Sequence, residues 1–286
     1  MSSVSTSGRP AGKVLLTGAS GHLGANLLRR LIADGHDVRV LLRPGSDNSG
    51  VDGTPVERIY GDLRDPQAVD QAVRGCQRIF HTAAKVSTLY GNAALKREIY
   101  DCNVLGTRHI LASARKFEVE RTVVTGSFSA VGYDPSNPSI PSNEEMRIYP
   151  FERMMPYEAS KTFVELECLS AANRGLDVTI ATSCAILGPH DYKPSRMGRA
   201  LCDFANGKLH AYIQGGFEFV AMHDIVEGHI LTMSKGRKGE KYVFATQFVT
   251  LPEMMELWER ITGRPRPRFE VPVSVMGAVA EVVSPI

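Results

Sequence analysis

The sequence predicts an α/β domain built on a doubly wound parallel sheet. Through the first 182 residues, short runs rich in apolar residues alternate with longer segments whose apolar residues recur at helical spacing. A glycine-rich turn joins the first apolar run to the first helical segment. This alternation is typical of βαβ units, in which a helix crosses over between two parallel strands.

Local patterns justify the individual elements of this half. Residues 13–17 (KVLLT) form the continuous apolar run expected of a buried strand. Gly35 ends the first helix in the left-handed conformation, and Asp65 with Pro66 begins a later one. We predict strands at 13–17, 37–42, 55–60, 77–82, 121–125 and 177–182, and helices at 23–34, 66–74, 95–117 and 155–173.

After residue 182 the alternation becomes less regular. A loop with Gly188 and Pro189 leads to a helix near 195–206, and shorter strands and helices follow. We therefore expect three regions. They are a disordered tail at 1–11, the sheet domain at 12–182, and a part at 183–286 that mainly forms a lobe capping the sheet, with elements that return to it.

The composition excludes several classes of protein. The 286 residues carry 33 basic and 31 acidic side chains, so no nucleic-acid-binding surface is expected. Five widely spaced cysteines without a C-x-x-C pair argue against disulfides and zinc, and the histidines show no metal-binding spacing. Free cysteines suit a reducing compartment, so we expect a cytoplasmic protein without a bound metal.

Neither end of the chain predicts a membrane segment. The serine-rich start lacks the apolar core of a signal peptide. The apolar run at 271–286 is interrupted by prolines and Glu281 and is too short to span a bilayer. We predict that this run forms a helix covering the lobe.

The glycine-rich turn predicts a dinucleotide-binding loop. Gly18, Gly21 and Gly24 follow the first strand and open the first helix. In this arrangement the first glycine permits a tight turn, the second lets the backbone approach a pyrophosphate, and the third lets the helix pack on the sheet. Backbone N–H groups at the helix start supply the anion site.

The end of the second strand discriminates between the two nicotinamide cofactors. An acidic residue there would hold the ribose hydroxyls of NAD, but the sequence continues with Arg43 and Pro44. Arg43 can pair with a 2′-phosphate, which favours NADP(H). NAD(H) remains the alternative, in which Arg43 is a solvated charge at a strand end.

A second pattern predicts proton-transfer chemistry. Tyr157 and Lys161 stand four residues apart, on one face of a predicted helix. A nearby ammonium lowers the pKa of a phenol, so we expect Tyr157 to act as a general acid/base near neutral pH. Ser127 follows the fifth strand, where its hydroxyl can polarise a substrate oxygen; Ser129 is the competing candidate.

Other candidate residues follow the carboxyl ends of the predicted strands. Asp62 and Leu63 are placed to meet an adenine, and small residues after the fourth strand let a cofactor lie across the sheet. The predicted cofactor-binding residues are Thr17, Gly18, Ser20, Gly21, His22, Leu23, Arg43, Asp62, Leu63, Ala83, Ala84, Lys85, Thr125, Tyr157, Lys161, Ser183, Cys184 and Ile186. The predicted substrate contacts are Val86, Ser127, Phe128, Tyr192 and Phe217.

These motifs resemble those of the extended short-chain dehydrogenases/reductases. The matching features are T-G-x-x-G-x-x-G at 17–24, G-D-L at 61–63, N-V-x-G-T at 103–107, Ser127, and Y-x-x-x-K at 157–161. The segments at 191–208 and 262–265 resemble most the hopanoid-associated sugar-epimerase-like group. Dihydroflavonol reductases and 3β-hydroxysteroid dehydrogenases are its broader relatives.

The resemblance implies further properties. A seven-stranded Rossmann sheet would bind NAD(P) through residues 12–182, with the substrate held mainly by the lobe. A homodimer would form through the helices near 95–117 and 155–173. The reaction would transfer a hydride between the nicotinamide and a carbonyl or secondary alcohol carbon.

Two departures from the nucleotide-sugar enzymes of this superfamily bear on the substrate. Ala185 stands where those enzymes carry an asparagine that contacts the nucleotide sugar, and Phe217 stands where they carry an arginine that grips the diphosphate. Loss of these polar anchors favours a hydrophobic, ring-shaped substrate. A nucleotide-sugar epimerase or dehydratase, and a protein that binds NADP(H) without turnover, remain as alternatives.

Overall fold

A computed structural model describes residues 12–137, 139–146 and 154–271 of the chain. The predicted tail at 1–11 lies outside these residues, as does the predicted C-terminal helix beyond residue 271. Within the described residues, none of the helices has the length and apolarity needed to cross a bilayer.

Strands and helices alternate up to residue 183, as predicted. The strands are β1 (Val14–Thr17), β2 (Val38–Leu42), β3 (Glu57–Tyr60), β4 (Arg78–His81), β5 (Arg121–Ser127), β6 (Val178–Ser183), β7 (Ala185–Leu187), β8 (Ala211–Ile213), β9 (Gly216–Ala221), β10 (Lys241–Phe244), β11 (Gln247–Thr250) and β12 (Phe269–Val271). The helices are α1 (His22–Ala33), α2 (Pro66–Val73), α3 (Ala93–Tyr100), α4 (Gly106–Lys116), α5 (Pro156–Asn173), α6 (Arg196–Ala205), α7 (Met222–Lys235) and α8 (Leu251–Thr262).

Seven parallel strands form the main sheet, in the order β10-β6-β5-β4-β1-β2-β3. The strand order reverses between β1 and β4, because the crossovers first run towards one edge and then towards the other. In open parallel sheets the carboxyl ends of the strands border a ligand crevice at such a reversal. Thr17 at the end of β1 is aligned with Leu41 on one side and His81 on the other.

Helices cover both faces of the sheet. On one face, Leu27 and Leu31 of α1 share a buried core with Ile225 of α7. On the other face, Ile110 of α4 and Val164 of α5 belong to a second core, which also includes residues of α2. The fold is therefore the predicted doubly wound α/β sheet.

The long helix predicted at 95–117 is interrupted. Residues Asp101–Leu105 form one π-helical turn between α3 and α4. The side chain of Asn103 in this turn hydrogen-bonds the backbone of Lys85, in the loop after β4. π-turns inside helices are frequent at functional sites, and this one lies beside the crevice.

The lobe has its own small core. Strands β7, β9 and β11 form one sheet, and β8 pairs with β12. Their buried centre consists of Phe204, Phe219, Met254, Met255 and Trp258. The sequence did not predict β7, β11 or β12, because these short strands do not alternate with clear helical segments as the strands of the first half do.

Candidate active site

The glycine loop adopts the close packing that its spacing predicts. Gly18 has φ +75°, and a Cβ there would lie 2.6 Å from the backbone N of Ala83. A Cβ on Gly24 would lie 2.0 Å from the carbonyl oxygen of Gly18. Any larger residue at these positions would push β1, the loop after β4 and α1 apart.

The start of α1 presents unpaired backbone donors. Its N-cap residue is Gly21, which provides no side-chain cap, and the first turn contains no acidic residue. The partial positive charge of a helix start is therefore left uncompensated by the helix itself. Together with the glycine packing, this fits the pyrophosphate of a dinucleotide.

A cavity of about 310 Å³ lies along the carboxyl ends of β1, β2, β3 and β4. Ten of the predicted cofactor-binding residues line it: Thr17, Gly18, Ser20, Gly21, Arg43, Asp62, Leu63, Ala83, Ala84 and Lys85. The sequence did not single out seven other lining residues, which are Leu41, Ser46, Asn48, Gly61, Thr82, Cys102 and Lys193. Gly61 and Thr82 directly neighbour predicted cofactor-binding positions, whereas Lys193 belongs to a loop far along the chain.

His22 and Leu23 are not among the residues that line this cavity. Leu23 is buried in the core beneath α1. His22 donates from Nε2 to the carbonyl oxygens of Gly188 and Pro189, both at 3.1 Å, so its side chain joins α1 to the loop after β7.

Charged side chains lie along the cavity near the ends of β2 and β3. Arg64 donates to both carboxylate oxygens of Asp62, and this hydrogen bonding lowers the pKa of Asp62. Arg43 donates from Nε to the hydroxyl of Ser46 at 2.7 Å. The end of β2 thus presents a guanidinium rather than a carboxylate to the cavity.

A buried hydrogen-bond chain links β1 to the π-turn. The hydroxyl of Thr107 donates to the carbonyl of Asn103 and so accepts from His81 Nε2 at 3.0 Å. The other nitrogen of His81 then accepts from Thr17 Oγ1 at 2.7 Å. Burial lowers the pKa of His81 to about 3, with a smaller effect from the charge of Lys161, so this ring stays neutral.

The structure brings Ser127 and Tyr157 together. Ser127 ends β5 and is buried, and its hydroxyl lies close enough to the phenol of Tyr157 to favour the phenolate. Ser129 stands behind it, with its Oγ 2.9 Å from that of Ser127. Of the two candidate serines, Ser127 is therefore the one that contacts Tyr157.

The electrostatic expectation for Tyr157 is wrong in this structure. Burial raises the pKa of Tyr157, and the hydrogen bond from Ser127 only opposes that rise. The expected lowering by Lys161 is absent because the Lys161 ammonium donates to the carbonyl oxygen of Thr125 at 2.8 Å. The phenol is thus protonated at neutral pH.

Lys161 is held in a dry environment behind the site. Only 5% of its surface is exposed, and burial lowers its pKa to about 8. The hydroxyl of Thr125 donates to Nε2 of His229 at 2.9 Å, because Nδ1 of His229 donates to the carbonyl of Ile225. The carbonyl that accepts from Lys161 therefore belongs to a residue anchored on α7.

Asn103 connects the loop after β4 with α5. Its amide accepts from Lys85 N at 2.7 Å, and it donates to Lys85 O at 3.0 Å and to Ser160 Oγ at 2.9 Å. Ser160 in turn donates to the carbonyl of Tyr157. The three contacts position the cavity wall relative to the helix that carries Tyr157.

The remaining predicted residues follow the carboxyl ends of β4, β5 and β6 or lie on the lobe. Ser183 is aligned with Ser127 across the β5–β6 pair, and Cys184 and Ile186 follow it. Val86, Phe128 and Phe217 are exposed by 61%, 48% and 40%, respectively. Among the described residues no group of His, Cys, Asp or Glu side chains could hold a metal ion.

Tyr192 lies in a different environment from the one expected of a substrate contact. Its hydroxyl accepts from Arg29 Nη2 at 2.9 Å, and the guanidinium stands over its ring. These contacts place Tyr192 on the outer side of α1, so its assignment to the substrate stays a prediction.

Comparison with known proteins agrees with this geometry. The model of the NAD-dependent epimerase/dehydratase family matches residues 14–245. The chain belongs to this family. The resemblance to extended short-chain dehydrogenases/reductases is thereby confirmed, and this family member is an NAD(P)-dependent oxidoreductase.

Two curated relatives align with most of this chain. Sterol demethylase protein B of Methylococcus capsulatus is 44% identical over 95% of this chain and 81% of its own length. A putative dihydroflavonol 4-reductase of Synechocystis is 34% identical over 90% of this chain and 75% of its own length. The crystal structure of gox2253 has a TM-score of 0.85 at 30% identity, covering 94% of this chain and 80% of that chain.

Proposed function

We propose that the protein is an NADP(H)-dependent reductase or dehydrogenase that acts on a ketone or secondary alcohol of a hydrophobic cyclic molecule. The observation that carries this proposal is the contact between Ser127 and the Tyr157 phenol, with Lys161 buried one helical turn away. When bound, the nicotinamide supplies or accepts the hydride.

The chain's own groups would move the proton. In the reductive direction Tyr157 donates its proton to the substrate oxygen, a role that suits a phenol whose raised pKa keeps it protonated. Ser127 donates a hydrogen bond to the same oxygen as negative charge develops on it. Lys161, whose ammonium donates to the carbonyl oxygen of Thr125 at the end of β5, would hold the nicotinamide ribose when the cofactor is bound.

The lobe supports a lipophilic substrate. A second cavity, of about 390 Å³, is lined by apolar and aromatic side chains that include Ile213, Phe217 and Trp258. The ring of Phe217 also meets that of Phe219 edge-on at 6.1 Å. Such walls provide no cationic donor for a diphosphate, and two of the relatives are named for sterol and flavonol chemistry.

Arg43 supports the choice of NADP(H) over NAD(H). Its guanidinium lines the cofactor cavity at the end of β2, where a carboxylate would bind the ribose hydroxyls of NAD. Arginine is well suited to a phosphate because its planar donors match the phosphate oxygens.

We also propose that the protein forms a homodimer through α3 and α5. Tyr100 of α3 meets Phe163 of α5 edge-on at 5.9 Å, and both rings are partly exposed. Leu166 and Leu169 extend this apolar surface along α5. Contiguous exposed apolar side chains of this kind mark protein interfaces.

Steady-state assays of the purified protein test the catalytic proposal. We expect NADPH oxidation with cyclic ketones such as 3-ketosteroids and flavanonols, slower oxidation of NADH, and a loss of about 10²- to 10⁴-fold in Tyr157→Phe. Ser129→Ala serves as the control and is expected to keep most of the activity.

Epimerisation of a nucleotide sugar without net consumption of NADPH would contradict the proposal. The same result would establish the alternative, in which the hydride returns to the substrate from the same cofactor.

A further inference from the structure

The loop at residues 188–193, which we call the strap loop, lies across the start of α1. Besides the two bonds from His22, Asn26 donates from Nδ2 to the carbonyl of Pro189 at 2.8 Å. A loop that enters from the lobe side is thus fastened to the helix that follows the glycine loop.

The far end of the strap loop reaches the cofactor cavity. Tyr192 is held by Arg29, as described above, and by His190, whose ring stacks on its own at 5.8 Å. The next residue, Lys193, extends its ammonium to the hydroxyl of Ser20 at 3.3 Å and lines the cavity. The position of Lys193 therefore follows from its own contact with Ser20 and from the contacts of Tyr192 beside it in the chain.

The loop after β2 reaches the glycine loop near Lys193. A Cβ on Gly50 would lie 3.1 Å from Cα of Ser20, so the loop after β2 packs directly against the glycine loop. The same loop contributes Ser46 and Asn48 to the cavity wall beside Arg43. Two cations, two hydroxyls and one amide thus border one end of the cavity.

Two carboxylates belong to the same region. Asp47 accepts from the backbone of Ser49, which lowers the pKa of Asp47, and the charge of Lys193 contributes a smaller lowering. Asp62 is already paired with Arg64. Lys193 is therefore close enough to Asp47 to offset part of its charge, and the described side-chain hydrogen bond of Arg43 uses Nε, to Ser46.

We infer that Lys193 is a second cationic ligand for the 2′-phosphate of NADP(H), delivered to Arg43's end of the cavity by the strap loop. This inference rests on the proposed preference for NADP(H). A phosphate monoester dianion is bound best by several charge-assisted hydrogen bonds, and this cluster offers two cations beside hydroxyl donors. Cofactor selectivity would then depend on the lobe as well as on the sheet.

Calorimetric titration with cofactor fragments separates the two phosphate positions. Adenosine 2′,5′-bisphosphate carries the 2′-phosphate, whereas adenosine 5′-diphosphate carries only the pyrophosphate. We expect Lys193→Ala to weaken binding of the 2′,5′-bisphosphate about tenfold and to leave the 5′-diphosphate within about twofold of wild type. Lys193→Arg should restore most of the affinity for the 2′,5′-bisphosphate.

Matched variants control for general electrostatics. Lys238→Ala removes an exposed lysine outside the cavity and should change neither affinity. Asp47→Asn removes the nearby negative charge and should tighten the 2′,5′-bisphosphate alone. Thermal unfolding of each variant establishes that the fold is retained.

The outcomes distinguish the two proposals. Equal weakening of both fragments by Lys193→Ala would place the lysine on the pyrophosphate and overturn the inference, as would no weakening of either. If the wild type itself binds both fragments equally, the proposed NADP(H) preference fails, whatever the variant does.

Discussion

Lys161 carries a charge in the interior of the protein, and this has a measurable cost. An ammonium loses its hydration on burial, and among its described contacts Lys161 regains one hydrogen bond, to the carbonyl of Thr125. The pKa of Lys161 falls to about 8 for this reason. Retaining such a group in the core is reasonable where a charge is needed for chemistry.

The cost predicts how stability depends on pH. The unfolded chain holds the Lys161 proton up to the ordinary pKa of 10.5, whereas the folded chain releases it near 8. The unfolded state therefore binds more protons between these values, and this group raises the free energy of unfolding as pH rises through that interval. We expect Lys161→Met to be more stable than wild type at pH 7, by on the order of 3 kcal/mol.

Urea unfolding of both proteins at several pH values checks this. The difference between variant and wild type should shrink as the pH rises from 8 to 10.5, because both then bury a neutral side chain. A difference that stays constant over this range would show that Lys161 does not titrate there. Lys238→Met, which changes an exposed lysine, controls for the loss of a positive charge.

For single residues, the sequence predicted which side chains form the candidate site better than it predicted what surrounds each of them. Ser127, Tyr157 and Lys161 could be named from their spacing and their place after strands. The partner of Lys161 could not, because it is the carbonyl oxygen of Thr125, a residue 36 positions away that only the packed structure brings close. The pKa direction of Tyr157 was missed for the same reason: burial depends on the packed structure and not on the four-residue spacing.

Among the elements, the π-turn between α3 and α4 has the most specific role. An ordinary helix over this stretch would present different residues to the loop after β4 and to α5. The observed turn places Asn103 where its amide is satisfied by Lys85 and Ser160. Buried amides with all their partners hold neighbouring elements in a single arrangement.

Removing this side chain is predicted to loosen the site. Asn103→Ala abolishes three hydrogen bonds and leaves partly buried backbone groups of Lys85 without these partners, so we expect a loss of about 3 kcal/mol in the free energy of unfolding. Chemical denaturation measures it. Asn206→Ala, which removes one exposed hydrogen bond to Cys202, should cost less than about 1 kcal/mol. Equal losses in the two variants would contradict the positioning role of Asn103.

For the whole molecule, the exposed surface of α3 and α5 predicts self-association. An aspartate at Leu166 would have to be desolvated in a dimer interface, so we expect Leu166→Asp to shift the protein to monomers. Sedimentation velocity at micromolar concentration measures this. Leu231→Asp changes a comparably exposed leucine on α7 and should leave the oligomeric state unchanged. A monomeric wild type would end the dimer proposal.

The whole fold was largely predictable up to β6, because most strands there are buried apolar runs and most helices have a clear period. The lobe was less predictable, since its short strands are defined by their pairing with segments distant in the sequence. Lys193 illustrates the limit: its loop shows no pattern of its own, and only the folded chain brings it to Ser20.

The path of the chain after β9 affects how this protein could be re-engineered. α7 packs beneath the sheet and β10 pairs with β6, so the polypeptide leaves the lobe, completes the sheet, and re-enters the lobe at β11. Cutting after β6 would expose that strand's edge and remove part of the core. Swapping substrate lobes between relatives would therefore need several junctions, two of them flanking the α7–β10 segment, because a single crossover would exchange a sheet strand as well.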